Sequence, residues 1–160
     1  MTLAVAGDQV HLRRATADDV PALVALLADD DLGARRETEE HLGPYRRAYG
    51  LVDADPAHLL VAATVREALV GTLQLSFLPG LSRRGALRAQ IEGVRVASSV
   101  RSRGVGAAML GWAVDEARRR GCALVQLTTD TARGEALRFY ERLGFVATHH
   151  GLKLQLPGPA

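Results

Sequence analysis

Apolar and polar residues along the chain follow two spacings, one typical of strands and one typical of helices. Val10 and Leu12 alternate with His11 and Arg13, which is the two-residue period of a half-buried strand. We therefore predict the first strand at these positions. The helical spacing begins soon afterwards, at Thr16, so the pattern predicts a strand followed directly by a helix.

The predicted first helix carries the signals of a helix N-terminus. Asp18 and Asp19 place negative charge near the positive end of the helix dipole. Pro21 falls in the first turn, where a missing backbone donor costs little. An apolar stripe at helical spacing follows, formed by Val20, Leu23, Val24 and Leu27.

The middle of the chain predicts a hairpin after a charged, weakly periodic segment. Residues 29–56 indicate a helix-and-loop excursion. Residues 59–65 then form a continuous apolar run, Arg66 and Glu67 suit a tight turn, and residues 69–78 have the pattern of a second extended strand. Two strands joined by so short a turn predict a β-hairpin.

The second half of the chain alternates strands and helices after a loop at residues 78–86. Glycine is expected where its helices end, because a left-handed helix cap favours glycine. The predicted elements are a strand over residues 87–96, a helix over residues 104–120 ended by Gly121, a strand over residues 123–127, a helix over residues 134–143 ended by Gly144, and two short strands around Val146 and Leu154.

This order of elements predicts a mixed α/β (α+β) fold in a single domain. The 160 residues, 48% of them hydrophobic, suffice for one sizeable core but not for two ordinary domains. We assign residues 1–160 to this domain, with its core at about residues 9–157. The strands on either side of the central helix are expected to run parallel, and ligands bind at the carboxyl ends of such strands. A binding crevice is therefore predicted there.

Composition narrows the class of protein further. The formal net charge is +2, and the acidic residues are spread along the chain, which argues against a nucleic-acid-binding face. The lone Cys122 excludes an internal disulfide and a multi-cysteine metal site, so we expect no metal. The N-terminus has no signal-peptide pattern, and no apolar run reaches membrane-spanning length. We expect a cytoplasmic protein without a membrane partner.

The strongest chemical signal is a glycine-bearing turn, Arg101-Ser-Arg-Gly-Val-Gly106, between a predicted strand and a predicted helix. Glycines let the backbone approach a ligand closely, and the free amides of a helix N-terminus bind anions. Arg101 and Arg103 add positive charge that we expect to be mobile. A phosphate or pyrophosphate is therefore predicted here; the structural alternative is a simple turn with a helix cap and solvated arginines.

Neither of two common nucleotide-binding motifs is present in this turn. A dinucleotide fingerprint requires glycine or alanine three residues after Gly106, where Met109 stands. A P-loop requires a lysine followed by serine or threonine, which the turn lacks. The turn must therefore serve another kind of ligand or none.

Two segments together resemble the signature of the GNAT superfamily of acetyl-CoA-dependent N-acetyltransferases. The first is an acidic strand followed by Arg101, Gly104 and Gly106 at the family's spacing. The second is residues 136–145, where an alanine stands four residues before Tyr140 on a helix that ends in Gly-Phe. The resemblance implies a mostly antiparallel twisted sheet with a parallel strand pair splayed around the cofactor and helices on both faces. It also implies acetyl-CoA as cosubstrate and an amine acceptor that the sequence does not identify.

The resemblance assigns the cofactor contacts as well. It implies that main-chain groups of Val94 and Val96 pair with the pantetheine arm, on a strand distorted near Gly93. Ser102 and Arg133 depart from the family pattern, which often has glycine and asparagine there, so the turn has less backbone freedom and Arg133 is expected to meet a phosphate instead. The remaining assigned contacts are Arg101, Ser102, Arg103, Gly104, Val105, Gly106, Ala107, Arg133 and Tyr140.

Tyr140 and Glu92 are the predicted catalytic residues for direct attack of a primary amine, of a small molecule or a peptide, on the thioester. The resemblance places the Tyr140 hydroxyl beside the cofactor sulfur, where it would act as general acid; the alternative is a tyrosine packed in the core. Glu92 is the expected base because a carboxylate in a mostly apolar wall suits proton abstraction; the alternative is a solvent-facing glutamate. A non-catalytic acyl-CoA-binding module would need neither residue. A homodimer is left open.

Overall fold

Within the part of the chain that the structure describes, six strands form one sheet. The computed structural model describes residues 1–5 and 7–156, and the chain divides into two compact units, residues 1–127 and 128–160. The strands are β1 (Thr2–Val5), β2 (Asp8–Arg14), β3 (His58–Val65), β4 (Ala68–Leu78), β5 (Arg88–Val96) and β6 (Leu124–Leu127). They are hydrogen-bonded in the order of the sequence. All neighbours are antiparallel except β5 and β6, which run parallel, so the predicted sheet is confirmed.

The helices follow the predicted order along the chain. Two short 3₁₀ turns occur, one at Ala17–Asp19 directly before the first α-helix and one at Ser98–Val100 directly after β5. The helices are α1 (Val20–Ala28), α2 (Gly43–Ala54) and α4 (Val105–Arg119) in the first unit, and α5 (Gly134–Arg142) in the second. Segment α3 (Ser82–Gly85) is a single turn in which Arg83 and Arg84 have left-handed φ values of 54° and 61°. No helix in residues 1–5 and 7–156 combines the length and the apolar character needed to cross a bilayer.

Helices lie on both faces of the sheet in the first unit, as predicted. Neighbouring residues on a strand point to opposite faces. Thr72 and Gln74 of β4 line a cavity together with α1 and α2. Gly71, which precedes Thr72, faces α4 instead, because a Cβ atom added to it would lie 2.7 Å from the Sδ atom of Met109. Helices α1 and α2 therefore pack on one face and α4 on the other.

The largest buried side chains lie on the α4 face of the sheet. Leu73 and Leu75 lie two and four residues after Gly71 on β4, so their side chains also face α4. Ile91 of β5 pairs with Leu75. These three residues, and Met109 and Leu110 of α4, are at most 1% exposed. Burying each such side chain contributes about 1.5–3 kcal/mol. This layer therefore fixes α4 on β4 and β5.

Thr16, where the sequence predicts the first helix to begin, is the N-cap of the 3₁₀ turn Ala17–Asp19 that leads directly into α1. The Thr16 N–H and its hydroxyl both donate to Oδ2 of Asp19, at 2.7 Å and 3.0 Å. Arg13 of β2 reaches the same carboxylate with two bonds of 2.5 Å and 2.7 Å. Asp19 thereby caps the helix entrance and ties it to the sheet.

The predicted hairpin between residues 59–65 and 69–78 is confirmed by β3 and β4. Arg66 and Glu67 connect the two strands with φ values of 47° and 71°. Positive φ at both central residues is typical of the turn type that matches the twist of paired strands. Gly121 and Gly144 also have positive φ, 73° and 89°, which confirms both predicted helix ends.

One strand, β1, was not predicted from the sequence. It pairs antiparallel with β2, with Leu3 opposite Val10. The amino group of Met1 adds a hydrogen bond of 2.8 Å to the Leu12 carbonyl. Its four residues are too few for a clear two-residue period, so the strand depends on its pairing rather than on its own pattern.

The two strands predicted around Val146 and Leu154 are wrong. Residues 145–156 contain neither a helix nor a strand. A short strand is stable only when a neighbouring strand pairs with its backbone. The alternating apolar residues of this segment could not indicate whether such a partner exists.

The cap at Asp19 predicts a specific dependence of stability on pH. The hydrogen bonds from Arg13, then those from Thr16, lower the pKa of Asp19 from 3.8 to about 2. A lowered pKa stabilises the fold above the ordinary value, and this contribution is lost as pH falls through the lowered value. Asp19→Asn should therefore reduce the free energy of unfolding by on the order of 1–2 kcal/mol at neutral pH and by little near the lowered pKa.

Denaturant unfolding of the wild type and of Asp19→Asn across this pH range measures the effect. Asp18→Asn is the matched control, because Asp18 is exposed beside the same helix end. An equal loss in both variants, or a loss for Asp19→Asn that does not change with pH, would contradict the assignment.

Candidate active site

The glycine-bearing turn connects β5 to α4 and requires left-handed backbone at two positions. Ser102 has a φ of 64° and Gly104 a φ of 87°. A residue other than glycine loses roughly 1–2 kcal/mol in this region. A Cβ atom added to Gly104 would also lie 3.1 Å from Cγ1 of Val5. Glycine is therefore favoured at 104, and serine at 102 carries the backbone cost expected from its departure from the family pattern.

The N-terminus of α4 presents main-chain amides that the helix does not use. Gly104 is its N-cap, and the first helical bond runs from the Ala108 N–H to the Gly104 carbonyl at 3.0 Å. The N–H groups of Val105, Gly106 and Ala107 come before that bond and have no acceptor within the helix. Together with the helix dipole, such amides favour an anion. This end of α4 therefore has the chemistry needed to hold a phosphate.

Arg101 is held in place rather than mobile, which corrects our expectation. Its Nε donates to the Val96 carbonyl at 3.0 Å, and its Nη2 donates to the carbonyl and, at 3.2 Å, to the carboxylate of Asp29. The same carboxylate accepts the N–H of Ser98 at 2.7 Å. We call this set, Asp29 with Ser98 and Arg101, the Asp29 clamp. It fastens the turn to Asp29, the residue at which α1 ends.

Two further arginines near the turn also have acidic partners. Nη1 of Arg103 lies 3.7 Å from Oδ2 of Asp8, and Nε of Arg95 lies 3.5 Å from Oδ2 of Asp30. The sequence analysis missed the role of Asp29 and Asp30. The sequence feature that could have identified them is the run of three aspartates directly after the apolar stripe of the first helix.

Strand β5 is distorted at Gly93, as predicted, and the distortion opens one edge of the strand. Gly93 has a φ of 60°, and Gly93 and Val94 lie opposite the single residue Leu73, where the register between β5 and β4 shifts. Such a bulge bends the strand. Strand β6 pairs with residues 88–91 only, so residues 92–96 extend beyond the parallel ladder. The predicted crevice lies at this edge.

The main-chain groups of Val94 and Val96 lie on the edge of β5 that borders this crevice, where their carbonyls accept Nη1 of Arg95 at 2.9 Å and Nε of Arg101 at 3.0 Å. The N–H of Ala97 donates to the Val70 carbonyl at 2.8 Å, so the backbone at Ala97 faces β4. Successive residues of an antiparallel strand direct their main-chain groups to opposite sides. Those of Val96 and Val94 therefore face away from β4, as a ligand strand on the open edge would need.

A cavity of about 250 Å³ lies between the sheet and helices α1 and α2. Glu92 and Gly93 of β5 form part of its lining, so the cavity and the opened edge of β5 adjoin at the bulge. The apolar lining consists of Val20, Leu23, Val24, Leu27, Ala48, Val52 and Leu60. A concave apolar site with a few polar groups is the usual form of a small-molecule pocket.

Three hydroxyl groups line the cavity, and each donates its hydrogen to another group of the protein. Burial is the largest cause of the raised pKa of Tyr49, and a phenol is protonated at neutral pH even without that shift. The sequence analysis did not identify these groups. The bonds run from Tyr45 to the Glu37 carboxylate at 2.9 Å, from Tyr49 to the Ala15 carbonyl at 3.2 Å, and from Thr72 to the Val61 carbonyl at 2.9 Å.

Glu92, the predicted base, lines this cavity but is itself exposed. It lies opposite Gln74 in the register of β4 and β5, on the face covered by α1 and α2. Its surroundings thus differ from the enclosed apolar wall expected from the sequence: apolar residues lie on the cavity side and solvent reaches the carboxylate. Its role as base stays a prediction.

Tyr140 and Arg133 belong to the second unit, which we describe by itself. Tyr140 lies on α5, with its ring centroid 5.3 Å from that of Phe139 and 6.0 Å from that of Phe145. Arg133 occupies the N-cap position of α5, and its carbonyl accepts the N–H of Ala136 at 3.0 Å. The ring contacts are those that a packed tyrosine makes. The catalytic role of Tyr140 and the cofactor contact of Arg133 stay predictions.

A parallel strand pair whose ladder ends at Ile91, a bulged strand with an open edge and a helix N-terminus with free amides are the features that the resemblance to acyl-CoA-dependent N-acyltransferases implies. The chain belongs to the acetyltransferase (GNAT) family, whose model matches residues 21–145. The match covers parts of both units and confirms the family resemblance of the sequence motifs. The protein is thus an N-acetyltransferase by family.

Two N-acetyltransferases and one solved structure of a different description are similar to this chain. The aminoalkylphosphonate N-acetyltransferase of Salmonella typhimurium is 29% identical over 140 residues, which is 87% of this chain and 86% of that protein. The glucosamine 6-phosphate N-acetyltransferase of Trypanosoma brucei brucei is 34% identical over 88 residues, 55% of this chain and 58% of that protein. The crystal structure of a transcriptional regulator from Bacillus halodurans is 45% identical, with a TM-score of 0.88 over 92% of this chain and 99% of that one.

The Asp29 clamp predicts that Asp29 positions the glycine-bearing turn, which is the expected site for CoA. Asp29→Ala removes the acceptor for Ser98 and one partner of Arg101, so the affinity for CoA should fall by about tenfold, equivalent to about 1.4 kcal/mol. Asp31→Ala is the matched control, because Asp31 is exposed two residues further on. Calorimetric titration with CoA measures both affinities. Equal affinities in the two variants and the wild type would show that the clamp does not position the turn.

Proposed function

We propose that this protein transfers an acetyl group from acetyl-CoA to a primary amine of a small molecule or a peptide by direct attack. One observation supports this most strongly: the bulge at Gly93 joins three parts of a site within the first unit. These are the open edge at Val94 and Val96, the amide-bearing end of α4 that follows Gly104, and the cavity that contains Glu92. A two-substrate transfer needs these three parts to adjoin.

The residues available for acetyl-CoA fit its chemistry. The N–H groups of Val94 and Val96 are donors that the amide carbonyls of a pantetheine arm can use, while the carbonyls of these two residues already accept Nη1 of Arg95 and Nε of Arg101. The N–H groups of Val105, Gly106 and Ala107 suit its pyrophosphate. The lone Cys122, which can form no internal disulfide, supports placement in the reducing cytoplasm.

Acetyl-CoA supplies the acetyl group as an activated thioester. The chain must then orient the amine, accept a proton from its ammonium form and return a proton to the departing sulfur. Glu92 is the proposed base, since its carboxylate lines the cavity and is also open to solvent, to which it can pass the proton. Tyr140 is the proposed acid, on the strength of the family motif in residues 136–145.

A second candidate is a non-catalytic acyl-CoA-binding module. The 45% identical structure from Bacillus halodurans, described as a transcriptional regulator, favours it. Such a module would bind the cofactor at the same turn and release no thiol with any amine. Thiol release from acetyl-CoA, measured with a panel of amines, amino acids, polyamines and N-terminal peptides, distinguishes the two functions.

Binding of acetyl-CoA should depend on Gly104. Gly104→Glu brings a strained backbone, bulk and negative charge to the anion-binding end of α4, so the affinity should fall by at least about tenfold. Gly111→Glu is the matched control, because it makes the same change in the same helix where an added Cβ meets nothing within 4 Å. Calorimetry with acetyl-CoA measures both.

Absence of binding to the wild type at millimolar acetyl-CoA would overturn the proposed function. Equal weakening by Gly104→Glu and Gly111→Glu would mean that the cofactor does not use the turn. Circular dichroism of both variants checks that α4 is retained.

The role of Tyr140 is tested by separating its hydroxyl from its ring. Tyr140→Phe keeps the contacts with Phe139 and Phe145 but removes the donor, so turnover should fall by roughly 10²-fold while stability and CoA affinity change little. Steady-state kinetics and thermal unfolding provide the measurements. Tyr140→Ala is the companion variant, and it should also lower the stability, because it removes the ring contacts with Phe139 and Phe145. A fully active Tyr140→Phe would remove the assigned acid.

A further inference from the structure

We propose that the acceptor is a small primary amine with an apolar body and no anionic group, bound in the α1–α2 cavity with its ammonium beside Glu92. This inference rests on the proposed function and adds the substrate class. It follows from the size of the cavity, the charge of its lining and the hydrogen-bonding groups that remain there.

The size and the walls of the cavity favour a compact apolar body. Its volume is about 250 Å³, at the small end for ligand pockets. Leu23 and Val24 of α1, Val52 of α2 and Leu60 of β3 form much of the wall. Polar groups placed against these side chains would lose water without gaining hydrogen bonds. Aliphatic or aromatic carbon is therefore the better match.

The charge of the lining favours a cation. Glu92 is the only charged residue among those that line the cavity in the described part of the chain, and none of them is basic. Arg14 is close enough to Tyr49 to act on it electrostatically, but its Nε is bound to the Asp53 carboxylate at 3.0 Å. An ammonium would gain a partner in Glu92, whereas a phosphate or carboxylate would meet a like charge.

The hydroxyl groups of the lining point to the same conclusion. Tyr45, Tyr49 and Thr72 each have one O–H donor, and each donates it to Glu37 or to a main-chain carbonyl. What these groups can still offer a ligand is their oxygen lone pairs. An ammonium donates three hydrogens and can use such acceptors. A phosphonate needs donors, and the side chain in the described lining that still has them is the neutral Gln74 amide, which gives one hydrogen to Oγ of Ser76 at 3.3 Å.

The lining of the cavity does not suit the substrates that appear in the names of the two N-acetyltransferases compared above. Those enzymes act on an aminoalkylphosphonate and on glucosamine 6-phosphate, both amines that carry an anionic phosphorus group. The described lining of this cavity offers no cation to such a group. The lining therefore disfavours an acceptor with an anionic phosphorus group, since a buried charge without a partner is strongly disfavoured.

A matched pair of amines tests the inference. Butylamine and 3-aminopropylphosphonate have the same ammonium and the same chain, and differ by a terminal methyl in place of a phosphonate. With acetyl-CoA as donor, kcat/KM for butylamine should exceed that for the phosphonate by roughly 100-fold or more, as expected for an unpaired anion in an apolar site. Equal or higher kcat/KM for the phosphonate would overturn the proposed substrate class.

A designed change of the lining should reverse part of this preference. Val52→Arg introduces a cation into the cavity wall. The ratio of kcat/KM for butylamine to kcat/KM for 3-aminopropylphosphonate should therefore fall by about tenfold or more. Leu51→Arg is the matched control, since Leu51 is the neighbouring residue on α2, is 75% exposed and does not line the cavity. An equal effect of the two substitutions would place the amine elsewhere.

Direct binding provides a readout that does not depend on turnover. Ligand-observed NMR with butylamine alone should detect binding to the wild type that Glu92→Gln weakens at least about fivefold and that 3-aminopropylphosphonate does not compete. No binding of butylamine in this experiment, or binding indifferent to Glu92, would overturn the inference. The proposed function fails separately, through the absence of acetyl-CoA binding by the wild type in calorimetry.

Discussion

The site depends on one backbone constraint, the bulge of β5 at Gly93. Two residues of β5 lie opposite Leu73 of β4, so the strand bends where its parallel partner β6 has already ended. The bend turns Val94 and Val96 toward an edge with no ladder partner on β6. A straight β5 would continue the sheet and leave no crevice. Glycine meets the positive φ that this bulge requires.

Helix α1 connects the two halves of the site physically. Its apolar residues Val20, Leu23, Val24 and Leu27 line the cavity, and the residue that ends it, Asp29, holds Ser98 and Arg101 at the glycine-bearing turn. A displacement of α1 would therefore affect the α1–α2 cavity and the glycine-bearing turn together. The capping bonds between Asp19, Thr16 and Arg13 fix the other end of the same helix to β2.

Much of the fold follows from local sequence patterns, because each of these patterns depends on interactions within a few residues. The hairpin of β3 and β4 required two apolar runs and a two-residue turn, and the ends of α4 and α5 required glycine at Gly121 and Gly144. Elements that depend on a distant partner were not predictable in this way. The β1 strand exists through its pairing with β2, and the strands expected around Val146 and Leu154 had the alternation but did not form.

The sequence by itself indicated the class of the protein, because the turn at residues 101–106 and the helix motif at residues 136–145 together resemble the GNAT signature, and the family match confirms that resemblance. It also indicated Glu92 and the distortion near Gly93. Only the tertiary structure decided that Arg101 is bound by Asp29 and that Glu92 lines an apolar cavity while remaining open to solvent. The physical reason is that side-chain partners and cavities are formed by residues far apart in the chain. Local propensity acts over a few residues and contains no information about which distant groups meet.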